Sequence, residues 1–415
     1  MLNKIIQKFT RTQTEKAIEH ESKFVAHNYH PLPVMLSRGE GVYLWDNEGK
    51  KYLDMMSAYS AVSLGHSHPR IVKALTDQAH KLAMCSRAYH TDTLGPFLEK
   101  LVAMTGLDMA LPMNTGAEAV ETAVKAARLW GYQVKKIPEN QAEIIVCEGN
   151  FHGRTTTIIS FSTEADYRKN FGPFTPGFKA VPFDDIEALK KAITPNTAAI
   201  IFEPIQGEAG IKVPHDGYLQ ELRAVCTANN VLFILDEVQS GLGRTGKMFA
   251  YQHENVLPDA LILGKALGGG LLPVSALVGK REVMSLFKPG SHGSTFGGNP
   301  LAAAVGLEAL TVLEEEGMVQ NSAKLGAYMI EQMRGINSPL ITGVRGRGLW
   351  IGLDFDPARV SARTVCEKLM EKGILSKDTH HTVVRFAPPL TITKEEIDWA
   401  LEQLKAVLRD LEGQK

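Results

Sequence analysis

Short apolar runs punctuate the middle of the chain at 144–147, 198–202, 231–235 and 260–263, with 274–278 as a fifth candidate. Uninterrupted runs of this length suit strands buried on both faces. The stretches between them are long enough for crossover connections. The pattern predicts an α/β fold: a mainly parallel central sheet covered by helices. Ahead of it, alternating residues either side of Asn47-Glu48-Gly49 predict a hairpin within 41–54. Helical patterns cover 70–81 and 119–130, the second alanine-rich with Glu118 and Glu121 in its first turns. Asn299 and Pro300 open a further helix, which Gly317 ends.

Beyond that helix the rhythm changes. Strands are predicted at 349–355 and 383–386 and a helix at 362–372, and Thr393 with Glu396 forms a capping box for the last helix. The division expected is an N-terminal segment (1–50) packing with the small domain, a large α/β domain (51–298) and a smaller α+β domain (299–415). Residues 1–11 read as a short amphipathic helical start. Glu15, Glu19 and Glu21 follow it, with no apolar core or cleavage signal of a targeting peptide.

Composition narrows the function. At 415 residues the chain exceeds the ~250–300 at which one core usually splits. With 44% hydrophobic and 22% charged residues and a net charge of -1, no broad basic surface is available for nucleic acid, and a small-molecule ligand is favoured. No apolar run approaches the ~20 residues of a membrane span. Cys85, Cys147, Cys226 and Cys366 are scattered, which suits a reducing cytoplasm.

In parallel sheets ligands bind at the carboxyl ends of the strands. Three successive runs end there in charged residues: Glu203, Asp236 and Lys265. Taken alone, Lys265 is better explained as a strand-end lysine pointing into water. A buried one would shift towards its neutral, nucleophilic form and could condense with a carbonyl. The Asn114-Thr115-Gly116 start of the alanine-rich helix is either an ordinary cap or an anion site. Pyridoxal phosphate needs a lysine for its aldehyde, a carboxylate for its ring nitrogen and a site for its phosphate. Phe151 is a candidate for the ring face, the alternative being a loop aromatic packed on the core. Two other patterns carry less. The stretch from Gly241 to Lys247 satisfies GxGxxG and GxxxxGK, but Met248 stands where a P-loop needs Ser or Thr, and no strand leads straight into it. His66 with His68, and His380 with His381, lack a second ligand cluster, so no metal site is expected.

These residues stand within a longer ordered series. It comprises Asn28-Tyr-His-Pro-Leu-Pro-Val34, Tyr59-Ser-Ala-Val62, Met113-Asn-Thr-Gly116, Gly149-Asn-Phe-His-Gly-Arg154, Glu203-Pro-Ile-Gln-Gly-Glu208, Leu235-Asp-Glu-Val-Gln239, Gly264-Lys-Ala-Leu267, Gly293-Ser-Thr-Phe-Gly-Gly-Asn-Pro300 and Arg385-Phe-Ala-Pro-Pro-Leu390. In that order the chain resembles the class III pyridoxal-phosphate aminotransferases of fold type I, from Asn28 to about Leu390.

The resemblance implies roles. Lys265 matches the lysine that joins the cofactor's aldehyde and later shuttles the substrate proton. Asp236 matches the partner of the ring nitrogen, Gln239 that of the ring hydroxyl, and Phe151 the aromatic on the ring face. Thr115, Gly116 and Ala117 match the phosphate loop, and Thr295 a residue reaching the phosphate of a neighbouring subunit. A homodimer with shared sites is therefore implied, or a higher oligomer built from it. Arg154 matches the arginine for the distal carboxylate, Tyr29 and Tyr59 the lining of the amine end, and Glu208 with Arg385 a switch pair. Together these imply L-ornithine as donor and 2-oxoglutarate as acceptor, with acylated ornithines or 4-aminobutyrate as alternative donors. An aminomutase, a decarboxylase and a nucleotide-binding protein are the more distant alternatives. His152 departs from the pattern, standing where a family member carries tryptophan.

Overall fold

The computed structural model describes residues 12–413; the helical start expected at 1–11 lies outside them. Three sheets organise the chain. The first joins β1 (Leu36–Glu40), β2 (Tyr43–Asp46) and β3 (Lys51–Asp54) as an antiparallel meander. The central sheet contains β4 (Met109–Met113), β5 (Glu143–Cys147), β6 (Phe178–Val181), β7 (Thr197–Phe202), β8 (Leu232–Asp236), β9 (Ala260–Leu263) and β10 (Ser275–Gly279). The third holds β11 (Ile341–Gly346), β12 (Ile351–Phe355), β14 (Lys377–Thr379) and β15 (Val383–Phe386), while β13 (Ile374–Leu375) leaves to pair in parallel with β3. The N-terminal hairpin is thus hydrogen-bonded to the C-terminal part of the chain. The boundary expected at 50/51 falls inside this sheet, because β2 and β3 fold as one hairpin.

The central order is β4-β10-β9-β8-β7-β5-β6. The pairs from β9 to β6 are parallel, as the apolar runs predict. The fifth run, β10, is antiparallel to both its neighbours. The apolar runs do not predict the two edge strands. β4 carries Pro112 at the sheet edge, where a missing N–H is tolerated, and β6 is short and half-buried at the other edge.

Burial explains the uninterrupted runs. On one face Ile144, Val146, Ile201, Ile234 and Ile262 meet Ala119, Val120, Ala123 and Trp130 of the helix Gly116–Gln133. On the other Ile145, Ile200, Phe202, Phe233, Leu235 and Leu261 meet Leu219 and Leu222 of the helix Tyr218–Ala228 and the helices Leu94–Thr105 and Pro300–Glu315. Successive residues of a strand point to opposite faces, so a strand covered on both has no polar position to spare. Asn299 Oδ1 accepts from Ala302 N and Pro300 begins its helix, as expected. The third sheet is covered by helices including Met318–Arg334, Ala362–Glu371 and Lys394–Glu412, the last opened by the Thr393–Glu396 capping box.

Candidate active site

Adjacent parallel strands bring their carboxyl ends together at one rim. β9 delivers Lys265, β8 Asp236, β7 Glu203, and β5 leads through a glycine turn to Phe151 and His152. Packing draws the rim to the helix Gly116–Gln133: a Cβ on Gly116 would lie 3.1 Å from Val238 Cγ1, and one on Gly264 3.3 Å from the same atom. Ser275 Oγ donates to Thr115 O at 2.7 Å, tying β10 to that helix start. Lys265 holds a left-handed φ of 46°. A bulky residue there is strained by an order of ~1 kcal/mol, the kind of strain that gathers at functional sites. Its ammonium makes no hydrogen bond or ion pair among the described residues. Burial pushes its pKa down, against the opposing charges of Glu208 and Asp236. The result is an amine biased towards its neutral form.

Asp236 is buried and doubly held. Its Oδ1 accepts from Val238 N at 3.0 Å, and its Oδ2 lies 2.7 Å from His152 Nδ1. Burial pushes His152 down, but the hydrogen bond and charge of Asp236 override it, so the imidazole sits above its ordinary value. Behind it, burial pushes the Glu203 carboxyl up to about 7, against the pull of His152. Glu203 accepts from Phe151 N at 3.0 Å and Gly207 N at 3.3 Å, joining the loop that carries Phe151 and Arg154 to the one that carries Glu208. His152 therefore supports Asp236 from behind. The sequence marked it only as a departure beside Phe151.

At the helix start Thr115 Oγ1 accepts from Glu118 N, and the Glu118 side chain returns to Thr115 N. The cap and the anion site are not exclusive: the first N–H groups of a helix, here those of Gly116 and Ala117, have no intrahelical acceptor. Gln239 makes no hydrogen bond among the described residues. Its amide lies so close to Gly207 that a Cβ there would stand 2.3 Å from Oε1. These groups fit pyridoxal phosphate. Lys265 would take the aldehyde, Asp236 the ring nitrogen, Gln239 the ring hydroxyl, the Thr115–Gly116–Ala117 turn the phosphate and half-buried Phe151 the ring face.

Two arginines flank this centre in different electrostatic states. Arg385 is buried, and its Nη1 donates to Glu208 Oε1 at 2.6 Å. Burial pushes Glu208 up, but Arg385, aided by Lys265 and Lys377, holds it below its ordinary value. Tyr59 lies under Arg385, ring centroid 5.2 Å from Cζ. Arg154 is exposed and has no carboxylate partner among the described residues. It lies over the rings of Tyr167, at 4.1 Å, and Phe151, at 5.7 Å. Tyr167 was not singled out by the sequence, since it stands in a polar stretch without periodicity.

Tyr29 and Thr295 are exposed at the margin of this constellation, Tyr29 close enough to Tyr59 to act on its hydroxyl. Tyr29 is 69% exposed, on a segment that Arg363 holds through His30 O and Pro31 O. Thr295 is exposed, next to Ser294, whose Oγ accepts from Asn114 Nδ2 at 2.8 Å. The glycine-rich loop after β8 has a structural explanation. Gly243 and Gly246 have positive φ, and a Cβ on Gly246 would come 2.8 Å from Ala323 Cα. Between them buried Arg244 donates to Leu349 O, Pro388 O and Ser63 Oγ. His66 pairs with Asp54 and His68 with Glu316. Among the described residues no group of three or more His, Cys, Asp or Glu is placed to hold a metal, and no helix is long and apolar enough to cross a membrane.

The chain is similar to known proteins along nearly its whole length. The model of the aminotransferase class-III family matches residues 24–408. The chain is 61% identical over 397 residues to an ornithine aminotransferase of Brevibacillus brevis, covering 96% of this chain and 99% of that protein. An ornithine aminotransferase from Toxoplasma gondii, with partial occupancy of PLP (pyridoxal phosphate) at its active site, matches with a TM-score of 0.96 and 44% identity, covering 100% of this chain and 98% of that one. An acetylornithine aminotransferase from Elizabethkingia anophelis matches with a TM-score of 0.88 and 47% identity, covering 96% and 100% respectively.

Proposed function

The chain belongs to the class-III aminotransferase family, and on that footing we propose that it moves the δ-amino group of L-ornithine to 2-oxoglutarate. The products are glutamate and glutamate 5-semialdehyde, which cyclises to pyrroline-5-carboxylate. One observation carries the choice of donor: Arg385 is neutralised by Glu208 at 2.6 Å, while Arg154 has no carboxylate partner among the described residues. A cleft with one masked and one open cation suits a donor with a carboxylate at one end and a bare amine at the other.

When bound, pyridoxal phosphate supplies the aldehyde that takes up the amino group and the ring that withdraws electrons from the reacting carbon. The residues supply the rest. Asp236, fixed by His152 and Val238 N, keeps a proton on the ring nitrogen. Lys265 Nζ takes the proton from the carbon bearing the amino group, a task suited to a lysine kept towards neutrality. Arg154 grips the α-carboxylate of ornithine and, in the second half-reaction, the distal carboxylate of 2-oxoglutarate. Its planar fork suits either. Glu208 covers Arg385 while ornithine reacts and releases it to the α-carboxylate of 2-oxoglutarate. A buried guanidinium needs one partner or the other.

Tyr29 lines the amine end together with Tyr59, whose hydroxyl is close enough to feel it. Thr295 and Tyr29 are exposed on the single chain, which supports a homodimer in which Thr295 reaches the phosphate of the partner, and the free, scattered cysteines suit a place in the cytoplasm. The likeness to an acetylornithine enzyme keeps one second reading alive. A screen of amine donors with 2-oxoglutarate, following semialdehyde formation, decides between them. Ornithine is expected to give the highest kcat/KM; preference for acetylornithine, succinylornithine or 4-aminobutyrate overturns the assignment.

A further inference from the structure

We propose that Tyr167 is a positioning residue for the donor: it fixes the guanidinium of Arg154 in the orientation that receives the substrate's α-carboxylate. The inference rests on the reading of Arg154 as that carboxylate's holder and adds a residue on which that grip depends.

An exposed arginine without a partner spreads over many rotamers, and ordering it on substrate binding weakens affinity. Arg385 escapes this through Glu208, but a carboxylate partner also consumes its charge and part of its fork. Arg154 is oriented in another way. Its Cζ lies 4.1 Å from the Tyr167 ring centroid and 5.7 Å from that of Phe151. The two rings meet edge to face, with centroids 5.9 Å apart and planes at 76°. An aromatic face attracts a guanidinium through its π-cloud while leaving the N–H edge free for a bidentate carboxylate. The ring thus orients the cation without neutralising it, which a site for an incoming anion requires.

The bracket is built from fixed parts. Tyr167 lies on the helical turn Ala165–Arg168. Arg168 Nη1 donates to Ser160 O at 3.0 Å and Ser162 O at 2.9 Å, and its guanidinium covers the Phe174 ring at 4.3 Å. Gly149 N donates to Thr163 Oγ1 at 2.8 Å, fastening the same loop to the strand end that leads to Phe151. Tyr167 therefore links the wall of the cofactor site to the carboxylate site. Burial pushes its hydroxyl up while Arg154 pulls it down, and Glu208 and Arg385 also act on it, as expected for a residue in the same cleft.

The test uses the holoenzyme in single turnover with L-ornithine and with putrescine, the same diamine lacking the α-carboxylate. Tyr167→Leu is expected to lower the ornithine-to-putrescine ratio of kcat/KM about tenfold, mostly through weaker ornithine binding. Putrescine turnover and the visible absorption of the bound cofactor should stay unchanged. Tyr167→Phe keeps the face and should keep the ratio; Arg154→Gln should lower it further than Tyr167→Leu. If Arg154→Gln collapses the ratio while Tyr167→Leu leaves it intact, the role of Tyr167 is refuted and the carboxylate reading stands. If Arg154→Gln leaves the ratio intact, the carboxylate reading falls and this proposal with it. Equal losses for both donors in Tyr167→Leu mark a structural effect and also overturn it.

Discussion

Glu208 and His152 each decide the state of a neighbour that does the chemistry. Removing the Glu208 charge leaves Arg385 buried with a weak partner, so its guanidinium is open to an α-carboxylate from the outset. Glu208→Gln is expected to cut ornithine kcat/KM by about 10- to 100-fold, the scale of a disrupted buried ion pair. The half-reaction with glutamate should hold or improve. Separate single-turnover rates for the two half-reactions check this, and an equal fall in both would refute the switch. His152 has its folded pKa raised by Asp236. A base stabilised in its charged form contributes stability fully below its unfolded value of about 6.5 and loses it as pH rises through the higher folded value. In cofactor-free protein the Tm advantage of the wild type over His152→Asn should be largest below about pH 6.5 and shrink above it; a gap independent of pH contradicts the assignment. At this scale Asp236 and Lys265 stand out in the sequence because each ends an apolar run, whereas Glu208 and Arg385 enter only through the ordered family motifs. Tyr167 and the support given by His152 were not legible, since stacking and second contacts arise only when distant loops meet.

One element carries more strain than its sequence suggests. Ser57, Ala58, Tyr59 and Ser60 all adopt left-handed backbone, with φ between 46° and 73° and no glycine among them. Such residues cost on the order of 1 kcal/mol each, so the surroundings must impose the turn. Asp54 Oδ1 accepts from Met56 N and Ser57 N at 2.8 and 2.9 Å, while its Oδ2 meets His66 Nε2 at 2.7 Å. Ser57 Oγ donates to Ala387 O, and Ser63 Oγ to Ser60 O. The turn holds Tyr59 against Arg385, two residues before Ala387, so one network sets both. Asp54→Ala leaves one buried and one half-buried N–H group without an acceptor and should destabilise the protein by about 2–3 kcal/mol. It should also raise the ornithine KM more than it lowers kcat. Urea denaturation and steady-state kinetics measure the two effects, and a stability loss with unchanged KM would detach the turn from substrate binding. Ser57-Ala-Tyr-Ser60 contains no Gly, Asn or Asp, the residues that readily take positive φ, so this geometry was not legible. β4 and β6 were hidden for other reasons: Pro112 interrupts the apolar Met109–Met113 stretch, and β6 is short and half-buried.

For the molecule as a whole, the parallel core and its covering helices were readable because burial on both faces leaves a distinct signature. The fold type I architecture and its family follow from that core and the ordered motifs. The proposed homodimer belongs to this scale. Thr295 is exposed although Asn114 ties its neighbour Ser294 to the start of the helix Gly116–Gln133 in the same chain. Phe296 is 57% and Tyr89 71% exposed, on segments joined by Leu301 N to Ala83 O. In a twofold dimer a residue reaching the partner's site does so reciprocally. Lys265→Ala chains and Thr295→Asp chains should therefore each be nearly inactive alone. Mixed by unfolding and refolding together, half of the dimers are hybrids. Each hybrid has one site with both wild-type residues and one with neither, so activity should return to about one quarter of wild type. If Thr295 serves the phosphate of its own chain, every site in the mixture carries a defect and no activity returns. Recovery near one quarter therefore separates a shared site from a self-contained one, without a structure of the assembly.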